Sequence, residues 1–141
     1  MPRRENASRR LAADGRTYLW NQRHRHRVPD GSGGVRCSQL LTLSPQPSGS
    51  GGPLRIVFDG GPGRIVADGF PSGSGDVGLV HGAHLNLHTP GAVRALLDVA
   101  LARGWDPDVR GEAWVDGWSL LEEAAAAYAE RQAGAGGDGD G

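Results

Sequence analysis

Three closely spaced histidines form the pattern in this sequence that most resembles a chemical site. His81, His84 and His88 follow one another as H-x-x-H-x-x-x-H. Imidazole nitrogen is a good ligand for zinc, copper and nickel, and three histidines with one water can form a catalytic zinc shell. The spacing matches no standard zinc signature, and surface histidines near a turn would give the same pattern. Metal binding by these residues is therefore one hypothesis.

Two tryptophans flank a short Val-Asp-Gly segment in the last third of the chain. They are Trp114 and Trp118. Tryptophan is amphipathic and is enriched among the residues that dominate protein–protein interfaces. The two rings would line a groove for a partner if both were exposed, and would fill the core if both were buried. Partner binding by this pair is a second hypothesis.

Arginines are concentrated at the start of the chain. Residues 1–36 hold nine arginines and three acidic residues, a net charge of +6, and the remaining residues carry −7. Arginine binds phosphate in a bidentate manner, so an arginine-rich arm along a nucleic-acid backbone is a third hypothesis. No helix-turn-helix, zinc-finger or RNA-recognition motif accompanies these arginines. The arginines concerned are Arg3, Arg4, Arg9, Arg10, Arg23, Arg25 and Arg27.

Familiar catalytic motifs are missing from the sequence. There is no lysine, which excludes a Schiff-base lysine and the P-loop lysine. No G-x-S-x-G motif is present, and no G-x-G-x-x-G follows a predicted strand and opens a helix. Asp59, Asp68 and Asp76 lie in or beside glycine-rich turns, where aspartates commonly make local hydrogen bonds. We therefore expect no catalytic residue and no cofactor, and favour a protein that is not an enzyme.

Length and composition favour one small domain in the cytoplasm. The chain has 141 residues, of which 38% are hydrophobic and 24 are glycine. It contains no apolar run of about 18 residues that would cross a membrane, and its start has no apolar signal-peptide region. The single cysteine, Cys37, is typical of a reducing compartment and is expected to be a buried thiol.

Hydrophobic periodicity predicts the elements that must position these residues. Alternation predicts a strand from residue 16, strands over 35–43, 54–58 and 64–70, an irregular edge strand within 77–87 and a short strand over 112–115. The glycine-rich turn after residue 58 favours a hairpin of 54–58 with 64–70. Thr89 and Pro90 begin a helix that stops at Gly104. A capping box from Ser119 to Glu122 opens a second helix, through about residue 132.

This order of elements predicts an α+β fold, because strands come first and helices follow. We expect a small antiparallel sheet of four to five strands covered by two helices. The domain limits that we predict are a disordered basic arm over 1–13, a single α+β domain over 14–133 and a disordered tail over 134–141.

Two motifs resemble those of a known group of proteins. The chain has Y-x-W at residues 18–20 and TP..V..LL..AL..GW.P over residues 89–107. In both it resembles small uncharacterised bacterial proteins of actinobacterial type, over roughly residues 14–107. The resemblance implies the same fold boundaries and carries no catalytic residue across, since no activity is assigned to that group.

These observations together favour a non-enzymatic protein-interaction module with an immunity, antitoxin or accessory-subunit role. The alternatives are a metal-binding protein or metalloenzyme that uses the three histidines, and nucleic-acid binding through the arginine-rich arm. We expect another protein as the partner, with nucleic acid second, and no membrane. The oligomeric state is open, although an exposed sheet face carrying Arg55, Val57, Val66 and Asp68 would suit a dimer.

Overall fold

The described residues form more strands than the sequence predicts. A computed structural model describes residues 8–27, 36–47, 49–60, 64–66, 76–79 and 82–137. The elements of these residues are β1 (Arg9–Ala13), β2 (Arg16–Arg27), β3 (Arg36–Pro45), β4 (Leu54–Asp59), β5 (Arg64–Val66), β6 (Asp76–Leu79), β7 (His84–Asn86), α1 (Pro90–Ala102), β8 (Ala113–Asp116) and α2 (Trp118–Gly137).

The main sheet has five strands in the order β1-β2-β3-β4-β8. The pairs β1-β2, β2-β3 and β3-β4 are antiparallel, whereas β8 runs parallel to β4. The structure thus confirms an α+β fold with a five-stranded sheet and two helices, but the sheet is mixed. The parallel strand arises because the chain passes through α1 between β4 and β8, and such a crossover returns a strand in the same direction.

A second sheet, of three strands, has the order β5-β6-β7. The predicted hairpin of 54–58 with 64–70 is therefore wrong. Both edges of β4 are occupied, one by β3 and the other by β8, so β5 pairs with β6 instead. Residues 67–70 of the predicted strand lie outside the described residues.

The end of the predicted disordered arm is a strand. Residues 9–13 form β1, which pairs with β2 from Arg9 opposite Trp20 to Ala13 opposite Arg16. The turn between the strands has positive φ at Asp14 (53°) and Gly15 (79°), the conformation of a tight hairpin connection. Residues 9–13, which the sequence analysis placed in the basic arm, thus form a strand whose last residue, Ala13, is buried. Residues 1–7 lie outside the described part.

The core lies between one face of the main sheet and a layer formed by the helices and the second sheet. Period-two alternation puts every second side chain of β2, β3 and β4 on this face. The buried sheet residues are Tyr18, Trp20, Leu41, Leu43, Leu54, Ile56 and Phe58. The residues that cover them include Val77, Leu85, Leu87, Val93, Leu96, Leu97, Leu120 and Leu121. The two layers therefore share one hydrophobic cluster.

Helix α1 begins and ends as the sequence predicts. Pro90 is its first residue and Thr89 precedes it, although the Thr89 side chain makes no capping hydrogen bond. Gly104 has φ of 110°, and its N–H donates to the Leu101 carbonyl at 3.1 Å. The Trp105 N–H donates to the Ala100 carbonyl at 3.0 Å, which completes a Schellman motif. This end of the helix places the Trp105 ring against Tyr18.

Helix α2 does not begin with the predicted capping box. It starts at Trp118, whose N–H donates to Asp116 Oδ1 at 3.3 Å, and the Ser119 hydroxyl donates to the Asp116 carbonyl at 2.7 Å. The helix also continues to Gly137, into the predicted tail. Among the described residues, no helix combines the length and the apolar character needed to cross a membrane.

Candidate functional site

The main sheet has an open face, which points away from the helices. It carries the side chains that alternate with the core residues of the same strands. The strand register places on this face Arg10, Leu19, Asn21, Arg23, Ser38, Leu40, Thr42, Arg55, Val57, Asp59, Trp114 and Asp116, and Glu112 joins them through its contacts with Arg55 and Trp114. Ser38 and Leu40 are nevertheless buried, at 4% and 5% exposure, so the face is open only around them. Alternation in the sequence left open whether such a face is exposed.

Strand register aligns these side chains in rows across the sheet. The charged row consists of Arg23, Leu40, Val57 and Asp116, on β2, β3, β4 and β8. The tryptophan row consists of Asn21, Thr42, Arg55 and Trp114 on the same strands. The charged row is thus basic at one end, apolar in the middle and acidic at the other end.

Trp114 is the large aromatic side chain of the open face, and it is held in place although 57% of it is exposed. Its Nε1 donates to Glu112 Oε1 at 2.9 Å, and the Arg55 guanidinium lies 5.5 Å from the ring centroid. Arg55 also contacts Glu112 Oε2 at 3.1 Å and Thr42 Oγ1 at 3.2 Å. These contacts hold the exposed ring in one orientation.

The neighbours of Glu112 favour the ionised form of its carboxyl group. The hydrogen bond from Trp114 is the largest cause that lowers the pKa of its carboxyl group, and the Arg55 guanidinium lowers the pKa further. Glu112 therefore stays ionised at acidities where an ordinary glutamate begins to take up a proton. The contact that holds Trp114 persists over the whole physiological pH range.

A pocket of about 430 Å³ lies beside Trp114 on the open face. Leu40 and Val57 form its apolar floor, and Asp59 and Asp116 place carboxylates at its border. Arg55 does not line this pocket, but borders a second one of about 320 Å³ together with Arg23. An apolar floor, an aromatic wall and nearby carboxylates suit a side chain with an aliphatic stem and a cationic end.

Trp118 lies on the opposite side of the sheet from Trp114. It is 9% exposed, its ring packs edge-on against Phe58 with centroids 5.2 Å apart, and its Nε1 donates to the Asp59 carbonyl at 2.9 Å. The predicted groove between the two tryptophans is therefore wrong. The chain leaves β8 and enters α2 at Gly117, which turns the second ring into the core.

The predicted metal ligands are only partly described. His84 is exposed on β7, and His88 is exposed just before α1. The His88 Nε2 atom lies 3.2 Å from Gln22 Nε2, and the backbone N–H of His88 donates to Asn86 Oδ1 at 2.8 Å. His81 and the Cys37 side chain lie outside the described residues. Across the part of the chain that is described, no three His, Cys, Asp or Glu residues are grouped to hold a metal ion, so the three-histidine site stays a prediction.

The predicted nucleic-acid residues are distributed over two faces. The Arg9 guanidinium lies 4.8 Å from the centroid of the core residue Trp20, and it donates to the His88 carbonyl at 3.0 Å. Arg10 borders an open-face pocket instead, and Arg23 lies farther along that face. Arg3 and Arg4 lie outside the described residues, as do the side chains of Arg25 and Arg27. The described arginines thus form no single track, and nucleic-acid binding stays a prediction.

Sequence reasoning missed the acidic members of the open face. Glu112 and Asp116 alternate with Trp114 in the predicted strand 112–115 and its continuation, so their common side was available from period two alone. Of the residues expected on an exposed sheet face, Arg55 and Val57 lie there. Val66 packs against the core instead, and Asp68 lies outside the described residues.

Comparisons with known proteins do not extend this picture. No protein-family model matches the chain, and no significant match was found among curated proteins or solved structures.

Proposed function

We propose that this protein is a non-enzymatic protein-interaction module that docks on its partner through the open face. The observation that carries the proposal is Trp114, which is exposed yet fixed by Arg55 and Glu112 at the border of a pocket. Tryptophan and arginine dominate the binding energy of protein interfaces, above all next to a pocket. An immunity protein, an antitoxin and an accessory subunit all act by such docking, and the single cysteine is compatible with a cytoplasmic setting.

The pocket chemistry indicates what the partner presents. A long basic side chain would lay its aliphatic stem on Val57 and its cationic end beside the carboxylates of Asp59 and Asp116. Arginine fits best, because its planar guanidinium both stacks on tryptophan and makes bidentate contacts with a carboxylate. We therefore propose a partner protein that inserts a basic residue, arginine above all, next to Trp114.

A quantitative affinity purification from the native host tests this proposal. The tagged wild type is compared with Trp114→Ala and with Val109→Ala, a matched control because Val109 is 58% exposed and lies outside the open face. Loss of an interface hot spot costs at least about 2 kcal/mol, so Trp114→Ala should reduce recovery of a specific partner roughly thirtyfold. Val109→Ala should recover the partner at the wild-type level.

The recovered partner is then titrated as a purified protein against Asp59→Asn. Removing this carboxylate should weaken binding, and added salt should weaken the wild type more than the variant, because the proposed contact is an ion pair. The proposal is wrong if Trp114→Ala binds the partner as tightly as the wild type does.

A further inference from the structure

We infer that the second pocket of the open face binds a phosphate group, which Arg23 and Arg55 hold between them. This pocket is separate from the one beside Trp114, so the inference goes beyond the proposed function and does not depend on it. The ligand is a small molecule, either free phosphate or a phosphate monoester.

The polar side chains that line this pocket are all hydrogen-bond donors. The described lining residues are Asn21, Arg23, Leu40, Thr42 and Arg55. No carboxylate is among them, whereas Asp59 and Asp116 border the pocket beside Trp114. Donors around a positive charge select an oxyanion, because hydrogen bonds from a guanidinium to an anionic oxygen are among the strongest in proteins.

Arg23 supplies the positive charge that is not compensated within the chain. It is exposed, and it forms no ion pair with a carboxylate in the described part of the chain. Its guanidinium is a planar fork of N–H donors that matches the spacing of phosphate oxygens. Arg23 can therefore bind an anion without breaking a contact that it already makes.

Arg55 is held in position on the other side of the pocket. One terminal nitrogen contacts Glu112 Oε2 at 3.1 Å, and the other donates to Thr42 Oγ1 at 3.2 Å. Each contact uses one hydrogen of its nitrogen, so the second hydrogen remains for a ligand. Because the Thr42 oxygen accepts this bond, the hydroxyl hydrogen points away from Arg55 and is available to an oxygen in the pocket.

Strand register brings the two guanidiniums within reach of one anion. Thr42 lies opposite Arg55, and Arg23 lies one row further along, opposite Leu40. Strands about 4.8 Å apart and a rise of about 6.7 Å per row put the Cα atoms of the two arginines about 12 Å apart. Two arginine side chains directed toward each other cover this distance. Leu40 between them is only 5% exposed, so a ligand meets the arginines and is shielded from water on that side.

The number of donors favours phosphate over carboxylate. A carboxylate is planar and presents two oxygens to one guanidinium, whereas a phosphate group presents three oxygens and up to two negative charges, and so binds two arginines at once. The pocket volume of about 320 Å³ is at the lower end for small-molecule sites. Arg9 lies on the opposite face and Arg10 borders another pocket, so the described arginines favour one phosphate group over a phosphodiester chain.

Titration of ¹⁵N-labelled protein with sodium phosphate, at an ionic strength held constant with sodium chloride, tests the inference. The Nε–H resonances of Arg23 and Arg55 should shift to saturation, with a dissociation constant on the order of 1 mM. The indole N–H of Trp114 should shift with them, since the Arg55 guanidinium lies 5.5 Å from that ring. Sodium acetate should bind at least about tenfold more weakly, because it engages a single guanidinium.

Variants of Arg23 separate its charge from its shape. Arg23→Gln should raise the phosphate dissociation constant at least about tenfold, because it removes a hydrogen bond between charged groups. Arg23→Lys keeps the charge without the planar fork and should bind with an intermediate constant. Arg103→Gln is the matched control at an exposed position on the helical side, where Arg103 pairs with Glu123, and should leave the constant unchanged.

Phenyl phosphate distinguishes the two sources of the phosphate group. Tighter binding than that of inorganic phosphate assigns the site to phosphate monoesters, and weaker binding assigns it to free phosphate. The inference is overturned if phosphate causes no saturable shift, if acetate binds as tightly as phosphate, or if Arg23→Gln leaves the constant unchanged. Each of these results leaves the partner recovery of Trp114→Ala unaffected, so failure here is distinct from failure of the proposed function.

Discussion

The two faces of the five-stranded sheet are built by the same strands but follow different rules. On β4, Leu54, Ile56 and Phe58 are fully buried under the helices, while Arg55 and Val57 between them stay partly exposed. The core face is apolar and closely packed, whereas the open face is ordered by ion pairs, a cation–π contact and strand register. The first face sets stability and the second is the surface that we propose for recognition, so mutations should separate the two properties.

The two tryptophans that the sequence grouped together should give the largest contrast. Trp118→Ala removes a buried ring that packs on Phe58 and should lower the free energy of unfolding by about 3–5 kcal/mol. Trp114→Ala removes a ring that is 57% exposed, together with its contacts to Glu112 and Arg55, and should lower it by only about 1 kcal/mol. Urea unfolding followed by circular dichroism, at a protein concentration that keeps the chain monomeric, measures both. Equal losses for the two variants would contradict a division between the faces.

Gly117 should show the second largest effect, because it lies where the chain passes from β8 to α2. A Cβ atom at this position would lie 2.5 Å from the Phe58 ring. Gly117→Ala should therefore cost about 1–3 kcal/mol through overpacking of the core face. Replacing Phe58 by the smaller leucine (Phe58→Leu) should relieve part of that cost. A double-mutant cycle built on urea-unfolding free energies would detect the relief. Strictly additive losses would show that the ring is not the obstacle.

Alkaline pH should destabilise the core face through Tyr18. Burial is the largest cause that raises the pKa of its phenol above the ordinary value of about 10. The unfolded chain thus ionises Tyr18 first, so this contribution to stability is intact below about pH 10 and is lost as the pH rises further. Urea unfolding at successive pH values should show the decline, and Tyr18→Phe should flatten it. A decline that is unchanged in Tyr18→Phe would point to another group.

Acidic pH should affect the open face, and this effect should be the smallest of the four predicted effects. Because the pKa of Glu112 is lowered, its contact with Trp114 should survive into the range where most glutamates are protonated, and be lost only below it. Tryptophan fluorescence should report this loss as a titration that Trp114→Phe abolishes. Glu112→Gln keeps an acceptor for Nε1 but should remove the titration. A titration that persists in Glu112→Gln would assign it to a different carboxyl group.

The fold could be predicted from the sequence where its determinants are local. Helix α1 was predicted from Pro90 to Gly104 because a proline, an apolar period and a stop glycine lie within one segment. The partner of β4 was predicted wrongly, since the turn after residue 58 indicates a hairpin and the strand that takes that edge lies some fifty residues further on. Strand pairing over such distances depends on packing that a short window does not contain.

The same limit applies to the open face. Trp114 could be proposed from its residue type alone, but the ordering of Arg23, Leu40, Val57 and Asp116 exists only once four strands are in register. Trp118 could not be separated from Trp114 by spacing, because a strand ends and a helix begins between them. Residue type thus indicated a candidate, and long-range pairing decided which side of the sheet it occupies.

The connection between β8 and α2 links the open face to the first turn of the helix. Within five residues the chain presents Trp114 to solvent, ties Gly117 N–H to the Val57 carbonyl at 2.6 Å and anchors Trp118 in the core. Anything that clamps Trp114 therefore also restrains the first turn of α2. Amide hydrogen exchange of that turn should slow when the open face is occupied, so that a helix with no contact to the partner reports whether the partner is bound.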